Sequence, residues 1–284
     1  MRRLVIGCGY LGNRVAKLWR DTGDEVYATT RGARLKALSV AGLRPIEVDV
    51  TCAISSGAFP AADTVVFAVG RSGRTMFDVH GTGLVRVLDA LPLSTGRVIY
   101  ISSTGVYAQN RGEWVDEVSV CQPEREGGKA CLAAERLLFG HARGRDAVVL
   151  RLAGLYGERR LPWLTNITEG NPIPSSPDAY LNLIHVEDAA QAVVTAAASE
   201  QTVVGRTYNV SDGRPPARRE YVELLARRLR KPVPVFKGGS GRGKRVKNDR
   251  AVLELGLRPE YDSFREGLTV SCPKVSPDHG GSDN

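Results

Sequence analysis

The stretch Leu4-Val5-Ile6-Gly7-Cys8-Gly9-Tyr10-Leu11-Gly12 decides the fold. Three apolar residues run straight into Gly-x-Gly-x-x-Gly, and Val15, Leu18 and Trp19 follow at helical spacing. In such a strand, turn and helix the first glycine permits the tight turn. The second lets a pyrophosphate approach the backbone, and the third lets helix pack on strand. The diphosphate then meets a helix N-terminus, where N–H groups and the helix dipole favour negative charge. A second strand pattern, residues 25–30, arrives at the distance a βαβ unit needs. Gly7, Gly9, Tyr10, Leu11 and Gly12 therefore read as a nucleotide-binding turn.

Outward from this turn the same alternation continues. Strand-like apolar runs fall at 4–6, 25–30, 45–50, 64–69, 97–103 and 148–152, with helical patterns at 33–40, 76–91 and 130–138. β-Branched strands alternating with helices imply an α/β fold with a doubly wound parallel sheet of the Rossmann type. Residues 1–160 read as this dinucleotide-binding domain. From 161 to 270 the rhythm changes to a smaller, discontinuous substrate lobe, within which 182–211 is expected to return to the main sheet. A strand at 182–186, a helix at 187–199 and a strand at 207–211 make up that return. A basic helix, a Gly-rich basic loop (238–247) and a short helix (249–255) follow. Residues 271–284 carry Pro, Ser, Gly and Asp without periodicity and read as a disordered tail.

At 284 residues, 42% hydrophobic and 25% charged, the composition is that of a soluble globular protein. The start Met1-Arg2-Arg3-Leu4-Val5-Ile6 breaks at the glycine turn too early for a signal peptide. No apolar run reaches membrane-spanning length, so no membrane partner is expected. Five scattered cysteines without a Cys-x-x-Cys pair, and four isolated histidines, disfavour a disulfide framework and a metal site. They fit a cytoplasmic, reducing setting. Net charge is +8, and its excess is local: residues 214–250 hold thirteen Lys/Arg against three acids. That segment reads as a solvated helix face with a basic loop, as a loop that meets a phosphate-bearing substrate, or as a nucleic-acid surface. Its scarcity of aromatics for base stacking weakens the nucleic-acid reading.

Cofactor choice turns on the end of the second strand. A carboxylate about 20 positions after the glycines bonds the ribose 2′-hydroxyl in NAD-specific folds. Here the strand ends Thr29-Thr30-Arg31, with Arg34 one helical turn later and no acid at that place. An arginine suits a 2′-phosphate, so NADP is favoured, with NAD as the alternative.

Taken together, the motifs resemble the extended short-chain dehydrogenase/reductase superfamily, its NAD-dependent epimerase/dehydratase-like group, over nearly the whole chain. Besides the glycine turn they are Asp49-Val50, Ala68-Val69-Gly70, Val79-His80-Gly81-Thr82, Ser102-Ser103-Thr104-Gly105-Val106-Tyr107, Arg151-Leu152-Ala153-Gly154-Leu155-Tyr156-Gly157, His185-Val186-Glu187-Asp188-Ala189, Tyr208-Asn209-Val210 and Leu255-Gly256-Leu257-Arg258-Pro259. The resemblance implies that Asp49 and Val50 lie near the adenine and that Ala68, Val69 and Gly70 line the cofactor. It places Ser103 at the serine that holds the reacting oxygen, and Lys244 and Arg245 where relatives often contact a substrate diphosphate. Asn182 is a further substrate-side candidate. Relatives commonly pair through two helices each, which makes a homodimer an expectation.

One departure matters for chemistry. The family moves its proton with a Tyr-x-x-x-Lys pair at the start of the helix after Ser103. Aligned on Glu135, this chain has Gly127 and Cys131 there; aligned on Lys129, it has Arg125 in place of the tyrosine. Proton transfer would then need Tyr107, Lys129, Arg125 or water, although Tyr107 also suits a structural role. The expected function is an NAD(P)-dependent oxidoreductase or epimerase-like enzyme acting on a small carbonyl, sugar or nucleotide-sugar compound. The alternative is a non-catalytic NADP(H)-binding sensor or regulatory protein.

Overall fold

The computed structural model describes residues 1–70, 75–199 and 205–273. Its strands, in chain order, are β1 (Arg2–Ile6), β2 (Glu25–Thr30), β3 (Arg44–Glu47), β4 (Thr64–Phe67), β5 (Arg97–Ser103) and β6 (Arg111–Val115). Then come β7 (Val148–Leu152), β8 (Gly154–Tyr156), β9 (Leu183–His185), β10 (Arg206–Val210) and β11 (Gly243–Val246). The helices are α1 (Gly12–Asp21), α2 (Leu35–Val40), α3 (Leu84–Ala90), α4 (Glu126–Gly140) and α5 (Leu164–Glu169). The last four are α6 (Val186–Ala198), α7 (Arg218–Arg228), α8 (Asp249–Glu254) and α9 (Phe264–Ser271).

Seven strands form one parallel sheet in the order β10-β7-β5-β4-β1-β2-β3. β4 and β7 are buried along their whole length, as parallel strands covered on both faces must be. One face is covered by α1 and α6 through Val15, Trp19, Ala189 and Val193. α3 and α4 cover the other through Leu84, Leu88, Ala134 and Leu138. The alanines of α6 let its backbone lie close to α1. Strand order reverses at β1 and β4, so the loops leaving their C-terminal ends diverge and open a crevice.

A separate apolar cluster joins α5, α7 and α9 around Tyr156, Ile167, Leu183, Tyr221, Leu225 and Phe264. Each such fully buried side chain contributes about 2 kcal/mol. This second core joins residues from 156–183 to residues from 221–268, apart from the two clusters that cover the sheet.

Four sequence expectations are corrected. Residues 182–186 do not rejoin the main sheet: β9 pairs with β8 instead. Ala153 N–H still bonds the Val210 carbonyl (2.9 Å), but the next N–H, of Gly154, bonds the Asn182 carbonyl (3.0 Å). The chain thus peels away from β10 within one residue and takes a new partner. The third strand stops at Glu47 rather than 50, because Asp49 Oδ1 accepts from the N–H (2.9 Å) and hydroxyl (2.7 Å) of Thr51 and turns the chain. The helix expected over 76–91 opens with a wide, π-type turn at Asp78–Gly83 before α3. There a Cβ on Gly83 would lie 3.2 Å from Val50 Cγ2, so glycine lets the turn press against that residue. Ser271, assigned to the tail, closes α9 and bonds His185 Nε2 (3.0 Å); residues 274–284 of the tail lie outside the described residues. Among the described residues no helix is long and apolar enough to cross a membrane.

Candidate functional site

The three glycines of the turn differ in what surrounds them. Gly7 has φ +89°, and a Cβ on it would lie 2.8 Å from Val69 Cα. A Cβ on Gly12 would lie 2.3 Å from the Gly7 carbonyl oxygen, so both positions demand glycine for packing. Gly9 differs: nothing lies within 4 Å of where its Cβ would stand. The turn is fixed from below by Thr29, whose Oγ1 accepts from Gly7 N–H (2.9 Å) and whose carbonyl accepts from Cys8 N–H (3.2 Å). Arg34 Nη1 donates to the Cys8 carbonyl from the side. α1 has no side-chain cap and no acid in its first turn, which leaves that end electropositive.

Against this turn lies a cavity of about 710 Å³. Gly7, Gly9, Tyr10, Leu11, Thr30, Arg31, Val50, Ala68, Val69, Gly70 and Ser103 all line it. Eleven of the expected site residues are thereby brought to one wall. Gly12 packs behind Gly7, and Asp49 is occupied by Thr51. Open space at Gly9, the bare helix end and the cavity's size fit a dinucleotide. A carboxylate that spacing from the glycines cannot reveal also comes near: Glu47, from the neighbouring β3, places Oε1 2.8 Å from where a Cβ on Gly32 would stand.

At the far end of the cavity stand Met76, His80, Ser102, Ser103 and Cys131. Of these, sequence reasoning named Ser103 as a site residue and Cys131 only as the occupant of the lysine position. Ser103 Oγ accepts from Gly105 N–H (3.0 Å) at the end of β5. α4 approaches so closely that a Cβ on Gly128 would lie 2.3 Å from the Gly105 carbonyl oxygen. That contact brings Cys131 to the wall. His80 Nδ1 lies 2.7 Å from the Tyr100 hydroxyl, and burial depresses its imidazole to about 4, so it is neutral near pH 7. Burial raises the Cys131 thiol above its ordinary range.

Beneath this end runs a buried polar chain. Ser102 Oγ donates to Glu135 Oε1 (2.5 Å), and Arg151 grips both oxygens of Glu135 at 3.0 and 2.7 Å. Arg151 Nη1 also donates to the Tyr107 hydroxyl (2.9 Å), which donates to Asn209 Oδ1 (2.8 Å). Tyr107 is 2% exposed and is not on the cavity wall. Burial, partly offset by Arg151, pushes its phenol up to about 12. As a candidate acid it is therefore misplaced; it ties β7 to the turn after β5.

The substrate-side candidates also stand off the cavity wall. Asn182 uses both ends of its amide on β11: Nδ2 donates to the Lys244 carbonyl (2.9 Å) and Oδ1 accepts from Val246 N–H (2.7 Å). Arg245 Nε donates to the Gly112 carbonyl (2.7 Å), with its guanidinium 4.8 Å from the Trp114 ring centre and 4.9 Å from that of Tyr180. Lys244 Nζ donates to the Tyr107 carbonyl (2.8 Å).

Comparison with known proteins agrees with this architecture. A profile of the NAD dependent epimerase/dehydratase family matches residues 3–211. No curated protein matches the chain. Among solved structures, a conserved protein of unknown function from Silicibacter pomeroyi is 24% identical, with TM-score 0.73 over 94% of this chain and 96% of its own. MoeE5 in complex with UDP-glucose and NAD is 23% identical, with TM-score 0.80 over 96% and 97%. UDP-glucuronic acid 4-epimerase from Bacillus cereus in complex with NAD is 18% identical, with TM-score 0.81 over 95% and 97%. With the family profile covering most of its length and the glycine turn, switch-point cavity and Ser103 in place, the chain belongs to the NAD-dependent epimerase/dehydratase family of extended short-chain dehydrogenases/reductases.

Proposed function

We propose that the protein is an NAD(P)-dependent oxidoreductase or epimerase-like enzyme acting on a small carbonyl, sugar or nucleotide-sugar substrate. The observation that carries this reading is one cavity that joins the glycine turn to Ser103. Gly7, Gly9, Tyr10, Leu11 and Gly12 would hold the pyrophosphate, with Thr30, Arg31, Asp49 and Val50 toward the adenosine and Ala68, Val69 and Gly70 along the middle. The bound nicotinamide would supply or take up hydride. Ser103 Oγ, already accepting one hydrogen bond, keeps its proton free to donate to the reacting oxygen. His80, neutral and buried, keeps that end uncharged. Arg31 on the cavity wall supports NADP, and Glu47 beside Gly32 supports NAD.

The reaction runs without the family's tyrosine and lysine: the sequence of α4, EGGKACLAAERLLFG, has no tyrosine, and Cys131 faces the cavity. With Tyr107 committed to Arg151 and Asn209, and Arg125 a guanidinium that stays charged, Lys129 or water carries the proton. The five cysteines are free thiols, which suits the cytoplasm. Exposed Leu137 and Phe139 on α4 suit a helix-paired homodimer.

Purified protein should oxidise NADPH or NADH in the presence of aldehydes, ketones or nucleotide sugars. Ser103→Ala should lower kcat by about a hundredfold, as loss of an oriented donor does, with cofactor affinity retained. Cofactor binding without turnover across the panel would instead support the second reading, a nicotinamide-dinucleotide sensor, which the tyrosine-free α4 favours.

A further inference from the structure

Among the described residues that line the cavity, the charged side chains are Arg31 and Arg160, and none is a carboxylate. Arg31 stands at the end of β2. Arg160 belongs to the turn that leaves β8, far from the glycine turn along the chain.

That turn is pinned against Tyr10. The Tyr10 hydroxyl donates to the Glu158 carbonyl (3.1 Å). A Cβ on Gly157 would lie 2.7 Å from the same hydroxyl and 2.8 Å from Val186 Cγ1, so glycine is needed for the chain to come this near. Gly157 and Arg160 then exchange both backbone hydrogen bonds, at 3.1 and 3.0 Å. Between them Arg159 has φ +61°, a left-handed conformation that side-chain-bearing residues keep where their surroundings hold it. The guanidinium carbon of Arg160 lies 5.3 Å from the Tyr10 ring centre, within reach of a cation–π contact.

Two arginines thus stack on the side chain of one glycine-turn residue, and they differ in what else they hold. Arg14, 4.4 Å from the Tyr10 ring centre, pairs with Glu187 (2.6 Å) and donates to the Tyr10 carbonyl (2.8 Å). The exposed guanidinium of Arg160 has no ion pair or hydrogen bond among the described residues. Its N–H groups remain free to donate. The glycine turn can offer a diphosphate neutral N–H groups and a helix dipole, whereas a guanidinium adds charge-assisted, bidentate pairing.

We propose that Arg160 is a coenzyme clamp: from the cavity rim it donates to the diphosphate that the glycine turn holds by its main chain. This deepens the coenzyme-binding part of the proposed function and rests on that part alone, whether or not turnover follows. Because both coenzymes carry the diphosphate, Arg160 serves NADH and NADPH alike.

The test is calorimetry on the full chain at constant ionic strength, with NADH, NADPH, ADP-ribose and AMP as probes. Arg160→Gln weakens NADH, NADPH and ADP-ribose by about tenfold or more each, and AMP, which lacks the second phosphate, by less than about twofold. Arg160→Lys, which keeps the charge, retains more of the binding than Arg160→Gln. Arg159→Gln removes a neighbouring charge whose side chain is 90% exposed, and it leaves all four affinities unchanged. Melting temperatures hold in every variant, since these side chains lie at the surface. Wild-type affinity for NADH in Arg160→Gln would overturn the clamp and leave coenzyme binding standing. So would an equal loss for AMP and ADP-ribose, or an equal loss in Arg159→Gln, since either is the mark of a general charge effect. Failure of wild type to bind NADH and NADPH would overturn the coenzyme-binding reading and the clamp with it.

Discussion

Under the proposed function Arg31, on the cavity wall, argues for NADP and Glu47, beside Gly32, argues for NAD, through opposite charge. Arg31 lines the cavity at the end of β2, while Arg34 is committed to the Cys8 carbonyl that shapes the glycine turn. A 2′-phosphate would meet Arg31; a free 2′-hydroxyl would meet a carboxylate. Arg31→Glu should therefore weaken NADPH by about a hundredfold and NADH by less than about threefold, read by fluorescence titration. Equal weakening would remove the 2′-phosphate role of Arg31 and leave Glu47 as the determinant. Glu47 shows what sequence spacing misses: it is far from the glycines along the chain and reaches Gly32 because β3 pairs with β2 in register, Thr30 against Glu47.

The connection from β10 to α7 carries a different consequence of burial. Asp212 Oδ1 accepts from Arg214 N–H (3.0 Å), but Oδ2 is buried without a partner. Burial pushes its carboxyl up to about 7. A carboxyl raised in the folded state binds its proton more tightly there than in the unfolded chain. Its contribution to stability is complete below pH 4 and is lost as pH rises through about 7. Thermal melting should thus fall as pH rises from 5 to 8. Asp212→Asn, which cannot ionise, should flatten that slope and raise Tm at pH 8 by about 3 °C or more. An unchanged slope would mean that Oδ2 finds water in solution. At this scale the alternating strands were legible because buried parallel strands are apolar on both faces. β9 was not, since a short apolar run carries no mark of which neighbour it pairs with; a single residue, Gly154, redirects it.

In the whole molecule, the crevice follows from topology: strand order reverses at β1 and β4, and the glycine turn and the β4 end meet there. The expected cofactor residues were written locally, in Gly7 to Gly12 and in Ala68 to Gly70, and the fold brings Gly7, Gly9, Tyr10, Leu11, Ala68, Val69 and Gly70 to one cavity. The Ser103 end is assembled from the π-type turn, β5 and α4, so His80, though part of a quoted motif, was not singled out as lining it, and Met76 went unnamed. Tyr107 looked like a site residue because it sits four positions from Ser103, yet the turn aims it into the Arg151–Glu135 chain. The cations of the second lobe stood out by charge alone, and only the fold shows that Arg245 lies over Trp114 and Tyr180, Arg218 over Trp163, and Lys244 against the Tyr107 carbonyl.

The central claim is that main-chain amides at the open Gly9 position hold a coenzyme's diphosphate. Calorimetric titration with NADH and NADPH tests it most directly, with Gly9→Val as the control because a branched side chain there would fill the space that is empty in the wild type. The account predicts that at least one coenzyme binds wild type with Kd on the order of 10 μM and that the variant loses this binding while its melting temperature holds. Absence of binding by either coenzyme at millimolar concentration, or unchanged affinity in Gly9→Val, would contradict it.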